Sequence, residues 1–203
     1  MHTIVPFDAR RPKTRLDDFL DTDERVEFSR AMLRDVLDAI VDAGGEPEIL
    51  STTPLECSYE VTVDERPLTA AVNGILESWS EPIAIVMADL ALLTPAAYEQ
   101  LTGPSADIVV APGIGGGTNA LVVRHPEFRV DYHGISVRDH RERARECGAS
   151  LATVDSFHLA VDVDCPDDLV EVLIHSDGRA ADWLRDAGVI LETDGNRPTV
   201  TRE

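Results

Sequence analysis

The sequence has almost no lysine. Lys13 is the single lysine among 18 basic residues, which face 38 acidic residues in a chain of 203, so the formal net charge is −20. The negative electrostatic field of so acidic a chain repels the phosphate backbone of nucleic acids, and we therefore expect no nucleic-acid partner. An acidic, lysine-poor surface is favoured in concentrated salt, where screening removes the repulsion between like charges. The composition thus indicates a halophilic source, with an ordinary acidic cytosolic protein as the alternative.

The sequence also lacks the features of disulfide-rich, zinc-binding and membrane-spanning proteins. Its three cysteines, Cys57, Cys147 and Cys165, form no CxxC pair, which argues against a disulfide framework or a zinc knuckle. The longest apolar run, Pro82–Asp89, ends in a charge after a few residues, whereas a membrane helix needs about 20. The first eight residues show no basic region, so we expect no signal peptide. We predict a cytoplasmic protein with no membrane partner.

Hydrophobic residues make up 43% of the chain, enough for a substantial core, and strand and helix patterns alternate along it. Such alternation predicts an α/β fold, a mainly parallel sheet flanked by helices, and we expect one domain over residues 1–203. Strands are predicted at 3–7, 48–51, 83–88, 107–111, 120–123, 150–154 and 158–163. Helices are predicted at 22–43, 67–79, 95–102, 136–147, 166–175 and 179–187, and the last fifteen residues as a small appendage.

The loop after the first predicted strand is unusually basic for this chain. It contains Arg10, Arg11, Lys13 and Arg15 within six residues. In α/β sheets ligands bind beyond the carboxyl ends of the strands, where this loop is expected. Arginine and lysine side chains neutralise phosphate oxygens, so the loop is a candidate phosphate site. The alternative is a solvated loop that pairs with surface acids.

Three carboxylates follow predicted strands and are candidate metal ligands. Asp89 ends the apolar strand, where a charge is costly unless it is paired or binds a metal; a helix cap or a structural ion pair is the alternative. Asp162 and Asp164 alternate along the chain, which places them on one side about 7 Å apart and suits Mg²⁺. Asp167 and Asp168 begin the next helix and are expected to interact with its dipole rather than with a metal.

A glycine-rich segment, residues 113–119, precedes a predicted strand and ends in Thr118 and Asn119. Glycines allow backbone N–H groups to approach a ligand, and the two polar side chains add hydrogen bonds. The segment matches neither the P-loop nor the dinucleotide-binding pattern, and a flexible hairpin is the alternative.

Two polar residues on predicted helices are further candidates. His140 lies near Ser136 and either reaches a phosphate or is an ordinary core or surface histidine. Asn73 faces a nucleotide or solvent.

These motifs together resemble those of the 2-phospho-L-lactate guanylyltransferases, which serve the biosynthesis of the deazaflavin coenzyme F420 in archaea. The resemblance covers almost the whole chain and is closest to haloarchaeal members. It implies a Rossmann-like nucleotidyltransferase fold of the nucleotide-diphospho-sugar-transferase type, and a homodimer. The matching segments are Pro6-Phe7, Lys13-Thr14-Arg15-Leu16, Met87-Ala88-Asp89-Leu90, Gly115-Gly116-Gly117-Thr118-Asn119-Ala120-Leu121, Gly134-Ile135-Ser136 and Asp162-Val163-Asp164.

The resemblance implies a reaction and a site. The phosphate of 2-phospho-L-lactate joins the α-phosphorus of GTP, which gives lactyl-2-diphospho-5′-guanosine and pyrophosphate. A phosphate oxyanion is already a nucleophile, so the site needs charge neutralisation rather than a general base. The resemblance implies that Lys13 and Arg15 bind the triphosphate and that these two residues and Asp89 are catalytic. It further implies that Asn73 binds the nucleotide and that Mg²⁺ is held by Asp89, Asp162 and Asp164. The phosphate of the acceptor is then bound by Thr118, Gly134 and Ser136.

Other activities share this predicted metal site. A nucleotidyltransferase that uses phosphoenolpyruvate or another phosphorylated acceptor is one alternative, and a DxD glycosyltransferase is a second. A nucleotide-binding regulator without catalysis would be favoured if Lys13 or Asp89 were missing, and both are present.

Overall fold

The computed structural model describes residues 1–10, 12–193 and 197–203. Nine strands alternate with seven helices over these residues. The strands are β1 His2–Phe7, β2 Glu46–Ser51, β3 Glu60–Val63, β4 Ile83–Val86, β5 Ile108–Pro112, β6 Thr118–Val123, β7 Leu151–Thr153, β8 Val189–Glu192 and β9 Thr199–Arg202. The helices are α1 Thr22–Asp42, α2 Leu68–Ser78, α3 Pro95–Thr102, α4 Ser136–Glu146, α5 Phe157–Ala160, α6 Pro166–His175 and α7 Arg179–Asp186.

Seven strands form one sheet in the order β3-β2-β1-β4-β6-β5-β7, and β8 and β9 form a separate hairpin. Strand β6 is antiparallel to both of its neighbours, while the other pairs of the large sheet are parallel. The prediction of a mainly parallel sheet flanked by helices is therefore confirmed. Because β6 runs in the opposite direction, its first residues lie at the same edge as the carboxyl ends of β1 and β4.

Helices cover both faces of the sheet. On one face, α1 and α3 pack against inward residues of the central strands, with Val36, Tyr98 and Val109 in one buried cluster. On the other face, α2 and α4 bury Val72 and Val137 against the sheet. A third cluster joins the start of α1 to α6, α7 and β8. These layers hold the strand ends, and the loops that follow them, in fixed positions.

Local signals explain where several helices begin. Asp21 and Glu24 form a capping box at the start of α1, as their spacing suggests, with both hydrogen bonds at 2.9 Å. Thr94 caps α3 through the backbone N–H of Ala97, and Pro95 occupies the first turn. The predicted helices agree with the observed ones to within one or two residues.

The predicted strand at 158–163 is wrong. Residues Phe157–Ala160 form a short helix instead, in which the backbone N–H groups of Leu159 and Ala160 donate to the carbonyl of Ser156. An alternation of buried and half-buried side chains, as in a strand, is observed just after this helix. Val161 and Val163 are buried, and Asp162 and Asp164 are half-buried. The segment is extended there but pairs with no strand of the sheet.

Strand β3 is absent from the sequence-based prediction. It lies at the edge of the sheet, pairs only with β2, and is mostly exposed, so its four residues carry little apolar pattern. The predicted C-terminal appendage includes β8 and β9, and its residues 194–196 lie outside the described residues. Within the described part of the chain, no helix is both long and apolar enough to cross a membrane.

Candidate active site

The candidate side chains converge at the carboxyl edge of the central strands. The basic loop follows β1, Asp89 follows β4, and Thr118 begins the antiparallel strand β6 next to it. The backbone N–H of Met87 donates to the carbonyl of Asn119 at 3.0 Å, which ties the end of β4 to the start of β6. A second tie joins the backbone N–H of Val163 to the carbonyl of Asp89 at 3.2 Å. The fold thus gathers residues that are far apart in the sequence.

Lys13 has an unusual backbone conformation. Its φ of 53° makes it the only residue other than glycine with positive φ among those that the structure describes. A lysine in this left-handed region costs roughly 1–2 kcal/mol, so the surrounding structure must hold it there. The single 3₁₀ turn Thr14–Leu16 follows directly, and its Leu16 side chain is fully buried. The loop is therefore anchored by an apolar residue immediately after the lysine.

The ammonium group of Lys13 lies between two carboxylates. Its Nζ is 2.6 Å from Oδ2 of Asp89 and 3.0 Å from Oδ1 of Asp164. Burial of the lysine lowers its pKa, but the charges and hydrogen bonds of the two carboxylates outweigh burial and raise it. The lysine is therefore a stable cation. We call Lys13, Arg15, Asp89, Asp162 and Asp164 the charged cluster.

Asp164 is held in place by a neighbouring carboxylate and by a second base. Oδ2 of Asp168 accepts hydrogen bonds from the backbone N–H groups of Asp164 and Cys165, both at 2.8 Å, at the start of α6. This confirms that Asp168 interacts with the helix N-terminus. Nη1 of Arg15 contacts Asp164 at 3.2 Å, and the Arg15 side chain is 75% exposed. Arg15 is thus free to contact a ligand from the solvent side.

Asp162 is partly buried and is hydrogen-bonded to a residue of β6. Its Oδ1 accepts from Nδ2 of Asn119 at 3.1 Å, and the same nitrogen donates to the carbonyl of Leu159 at 3.0 Å. Burial raises the pKa of Asp162, and the charges of Asp89 and Asp164 add to this, although the Asn119 hydrogen bond opposes it. The three carboxylates are therefore close enough to repel one another.

The chemistry of these carboxylates fits a hard cation. Oδ1 of Asp89 is buried and has no hydrogen-bond partner among the described residues. Its lone pairs are therefore available to a cation beside the carboxylates of Asp162 and Asp164. Carboxylate oxygens are the ligands that Mg²⁺ prefers. Among the described residues, however, no three acidic, histidine or cysteine side chains converge on one point that could hold a metal. The Lys13 ammonium stands between Asp89 and Asp164 instead.

A second group of side chains lies at the start of β6 and α4. The Thr118 Oγ1 atom is 2.8 Å from Nδ1 of His140 and 3.2 Å from Oγ of Ser136. All three residues are buried, and His140 is completely so. Ser136 and His140 are four residues apart on α4 and therefore lie on the same side of the helix. We call Thr118, Ser136 and His140 the neutral cluster.

His140 is a core histidine and carries no charge at neutral pH. Burial lowers its pKa to about 4, although the charge of Asp131 acts in the opposite direction. Its Nε2 atom is 2.9 Å from the backbone nitrogen of Asp131, and its ring contacts the rings of Phe128 and Tyr132. The alternative of direct phosphate binding by this histidine is therefore not supported by its position.

The backbone around the neutral cluster suits an anion. Gly134 has a φ of 57°, which lets the chain turn into α4, and Ser136 is the first residue of this 11-residue helix. Helix N-termini attract anions because their first N–H groups lack intrahelical partners. Gly116 has a φ of 82° and accepts a 3.4 Å hydrogen bond from the backbone N–H of Val137. The glycine-rich segment and α4 are thus joined.

Two other predicted residues lie apart from these clusters. The Asn73 side chain donates to the carbonyl of Val130 at 3.1 Å and accepts from its N–H at 2.8 Å. Both ends of its amide are therefore engaged by the protein, and a nucleotide-binding role remains only a prediction. Arg10 pairs with Glu65 at 2.8 Å, and Arg11 lies outside the described residues.

Cavities occur both beside and away from these residues. One of about 180 Å³ lies next to Lys13 and Asp89 and reaches the buried Ser29 of α1. A larger one of about 710 Å³ lies between α1 and residues 54–59. The smaller cavity is the relevant one for chemistry, because it opens at the charged cluster.

The sequence does not reveal the contacts that two residues make in the site. Asn119 was recognised only as a hydrogen-bonding residue of the glycine-rich segment, yet it joins β6 to Asp162. His140 was recognised as a neighbour of Ser136 on the helix, but not as the partner of Thr118. The four-residue spacing between Ser136 and His140 was the available signal for the second residue. No local pattern indicates the left-handed conformation of Lys13.

Comparison with known proteins shows the family to which this chain belongs. The sequence profile of the family described as "Guanylyl transferase CofC like" matches residues 1–201. Proteins named 2-phospho-L-lactate guanylyltransferase are similar over the full length. The one from Natronomonas pharaonis is 59% identical over 203 residues, and the one from Haloferax volcanii is 57% identical over 204; each alignment covers 100% of this chain and 99% of the relative.

Solved structures show the same fold at low sequence identity. A Methanothermobacter nucleotidyl transferase has a TM-score of 0.59 and 12% identity, with 91% of this chain and 98% of that chain covered. The crystal structure of a Desulfovibrio desulfuricans protein, provisionally described as a nucleotide-diphospho-sugar transferase, has a TM-score of 0.70 and 14% identity, with 91% of this chain and 94% of that chain covered. The predicted nucleotidyltransferase fold is confirmed. The chain belongs to the CofC-like guanylyl transferase family.

Proposed function

We propose that this protein transfers the guanylyl group of GTP to 2-phospho-L-lactate, in the biosynthesis of coenzyme F420. The observation that carries the proposal is the full-length similarity of 48–59% identity to haloarchaeal proteins named 2-phospho-L-lactate guanylyltransferase. The charged and neutral clusters support it, because they lie at the same edge of the sheet and contain the cations and hydroxyl groups that two phosphorylated substrates require.

The reaction needs two anions to be aligned and their charge to be neutralised. An oxygen of the acceptor phosphate attacks the α-phosphorus of GTP, and the bond from that phosphorus to the bridging oxygen of the β-phosphate breaks. Pyrophosphate leaves, and lactyl-2-diphospho-5′-guanosine forms. No general base is required, because the attacking phosphate oxygen is already ionised. This agrees with a site in which His140, the buried histidine of the described residues, is neutral at pH 7.

Within the charged cluster, Lys13 and Arg15 would hold the triphosphate. Lys13 is poised for this role, because the exchange of one carboxylate for a phosphate oxygen keeps its ammonium paired. Asp89, Asp162 and Asp164 would hold Mg²⁺, which supplies positive charge next to the leaving pyrophosphate when it is bound. The unpartnered Oδ1 of Asp89 is the structural support for this assignment.

Within the neutral cluster and the turn beside it, Thr118, Gly134 and Ser136 would bind the phosphate of the acceptor. The hydroxyl groups supply hydrogen-bond donors, and the N-terminus of α4 supplies a favourable electrostatic environment for an anion. Thr118 is followed in β6 by Asn119, whose amide donates to Asp162, so the backbone of this strand connects the proposed acceptor site to the carboxylates that would hold Mg²⁺. We expect the two substrates to meet near the start of β6.

The test is pyrophosphate release from GTP with Mg²⁺ in concentrated KCl. We expect release only when 2-phospho-L-lactate is added, together with a product of the mass of lactyl-2-diphospho-5′-guanosine. Parallel reactions with phosphoenolpyruvate and with ATP test the acceptor and the base. Release with phosphoenolpyruvate but not with 2-phospho-L-lactate would contradict the proposed acceptor.

We also propose a halophilic, cytoplasmic homodimer. The net charge of −20 and the haloarchaeal relatives support adaptation to salt, and a cytoplasmic location agrees with the use of GTP. Thermal unfolding should shift to higher temperature as KCl is raised to molar concentration, and light scattering should give twice the mass of the 22.2 kDa chain. A melting temperature independent of KCl would contradict the first statement, and the mass of a monomer would contradict the last.

A further inference from the structure

The direction of the hydrogen bonds in the neutral cluster follows from one backbone group. A backbone N–H can only donate, so the N–H of Asp131 donates to Nε2 of His140 at 2.9 Å. Nε2 therefore carries no hydrogen. Asp131 is itself well anchored, since its carboxylate binds His133 at 2.6 Å and Arg143 at 2.7 Å. Nε2 is thus fixed as a hydrogen-bond acceptor by a backbone N–H whose own residue is held by two side-chain contacts.

The proton of the imidazole must then be on its other nitrogen. Burial of His140 lowers its pKa to about 4, so the ring is neutral at pH 7 and carries one proton. With Nε2 as the acceptor, this proton is on Nδ1, which donates to Oγ1 of Thr118 at 2.8 Å. The contacts with Phe128 and Tyr132 hold the ring in this orientation.

Thr118 therefore accepts hydrogen bonds from both of its neighbours. The hydroxyl of Ser136 also donates to Oγ1 of Thr118, at 3.2 Å. The threonine oxygen has two lone pairs, and both are used. Its own hydroxyl hydrogen has no acceptor among the described residues. A buried donor without an acceptor is costly, and an incoming group with lone pairs removes that cost.

We propose that His140 is a positioning residue that makes the Thr118 hydroxyl an obligatory donor to the acceptor substrate. Because Thr118 cannot donate to His140, its proton is directed to a ligand oxygen. A fully ionised phosphate oxygen carries only lone pairs, so it fits this position, whereas a group that must donate does not. This inference rests on the proposed binding of the acceptor phosphate by Thr118. It adds a residue that does not touch the substrate but sets which groups can bind there.

Two substitutions of His140 separate its two nitrogen atoms. In His140→Asn the side-chain NH₂ falls near the position of Nδ1, so it can still donate to Thr118. In His140→Gln the amide falls near the position of Nε2, so the contact with Asp131 is retained and the donor to Thr118 is lost. If the histidine were only structural, the loss of the Asp131 contact in His140→Asn would do more harm.

We expect His140→Gln to raise the KM for 2-phospho-L-lactate by about tenfold, while the KM for GTP changes less than about twofold. His140→Asn should recover most of this loss. Thr118→Val should raise the same KM, and Thr118→Val combined with His140→Gln should equal Thr118→Val alone, because the histidine acts through the threonine.

A spectroscopic measurement tests the same inference on the unmodified protein, even if a variant fails to fold. In protein labelled with ¹⁵N-histidine, NMR should show His140 protonated at Nδ1 and unprotonated at Nε2 at pH 7. A histidine protonated at Nε2 would overturn the inference.

The kinetic outcomes distinguish this inference from the proposed function. If Thr118→Val leaves the KM for 2-phospho-L-lactate unchanged, the proposed acceptor site is wrong, and the role of His140 fails with it. If Thr118→Val raises that KM but His140→Gln does not, the acceptor site stands and the role of His140 is wrong. Additive effects in the double variant would also overturn it.

Discussion

The charged cluster and the neutral cluster, the two halves of the candidate site, are stabilised by different interactions. In the charged cluster, a lysine in a left-handed conformation lies between two carboxylates, one of which is 41% exposed. In the neutral cluster, two hydroxyl groups and a neutral imidazole are buried and linked by hydrogen bonds of fixed direction. The side chains of the charged cluster are held by ion pairs, and those of the neutral cluster by directional hydrogen bonds.

This difference suggests a division of labour. The ion pairs of Lys13 can be exchanged for contacts with a triphosphate and a metal, since each exchange replaces one charged partner with another. The neutral cluster cannot rearrange without leaving a buried polar group unpaired, which costs roughly 1–3 kcal/mol. We therefore expect the charged cluster to change its partners on binding and the neutral cluster to keep the hydrogen bonds among its three side chains.

The largest expected effect is on the charged cluster. Asp89→Asn removes the charge that we propose binds Mg²⁺, with little change in volume, and it should lower turnover by about a thousandfold while the protein stays folded. Steady-state pyrophosphate release at saturating Mg²⁺, with circular dichroism for the fold, measures this. Asp167→Asn is the matched control, because this carboxylate is exposed at the start of α6 and lies outside the site. Turnover close to wild type in Asp89→Asn would contradict the metal role.

The neutral cluster should instead reveal itself in the acid stability of the protein. The pKa of His140 is about 4 in the folded protein against 6.5 for an ordinary histidine, so the unfolded chain binds a proton in this range and the folded one does not. Stability is therefore lost as the pH falls from about 6.5 to about 4, by about 3 kcal/mol in total.

Urea unfolding at several pH values, in constant KCl, measures this loss. His140→Asn has no group that titrates at this position, so its stability should change less over the same window, even though its stability at pH 7 is lower. The other five histidines are unchanged in the variant and cancel in the comparison. Parallel pH profiles for the two proteins would show that His140 is not the cause.

A smaller effect should show that Lys13 and a metal compete for the same carboxylates. Lys13→Met releases the oxygens of Asp89 and Asp164 that the ammonium now holds. Without GTP, the variant should bind Mg²⁺ about tenfold more tightly than the wild type, because no charged hydrogen bond must be broken first. Isothermal titration calorimetry with MgCl₂ measures the affinity, which does not depend on turnover.

Arg15→Met provides the comparison for that titration. Among the described residues Arg15 forms an ion pair with Asp164 alone, and its side chain is 75% exposed, so its removal should change the Mg²⁺ affinity much less. Equal affinities in wild type and Lys13→Met would mean that the ammonium and the metal occupy different places.

The charged half of the site was largely predictable from the sequence. A single lysine in a basic loop, and aspartates that follow strands, stand out because charges in such places need a partner. The α/β alternation then places their loops at one edge of the sheet. The structure confirms that Lys13, Asp89 and Asp164 meet, although they are as much as 151 residues apart.

The neutral half was not predictable in the same way. Thr118 and Ser136 were recognised through their motifs, but the partner of Thr118 depends on how β6 and α4 pack, which is a tertiary property. The state of His140 depends on the backbone of Asp131, for which no sequence pattern exists. The helix Phe157–Ala160 was mistaken for a strand for a related reason. A run this short fits a helix or a strand by its pattern alone, and only the pairing of strands in the folded sheet decides between them.

The central claim is that the charged half binds GTP and the neutral half binds the acceptor. The most direct test is the KM for both substrates, measured side by side in Arg15→Ala and Thr118→Val. We predict that Arg15→Ala raises the KM for GTP by about tenfold and leaves that for 2-phospho-L-lactate within about twofold, and that Thr118→Val does the reverse. If both variants change the two KM values together, or each changes the wrong one, the division of the site into two halves is contradicted.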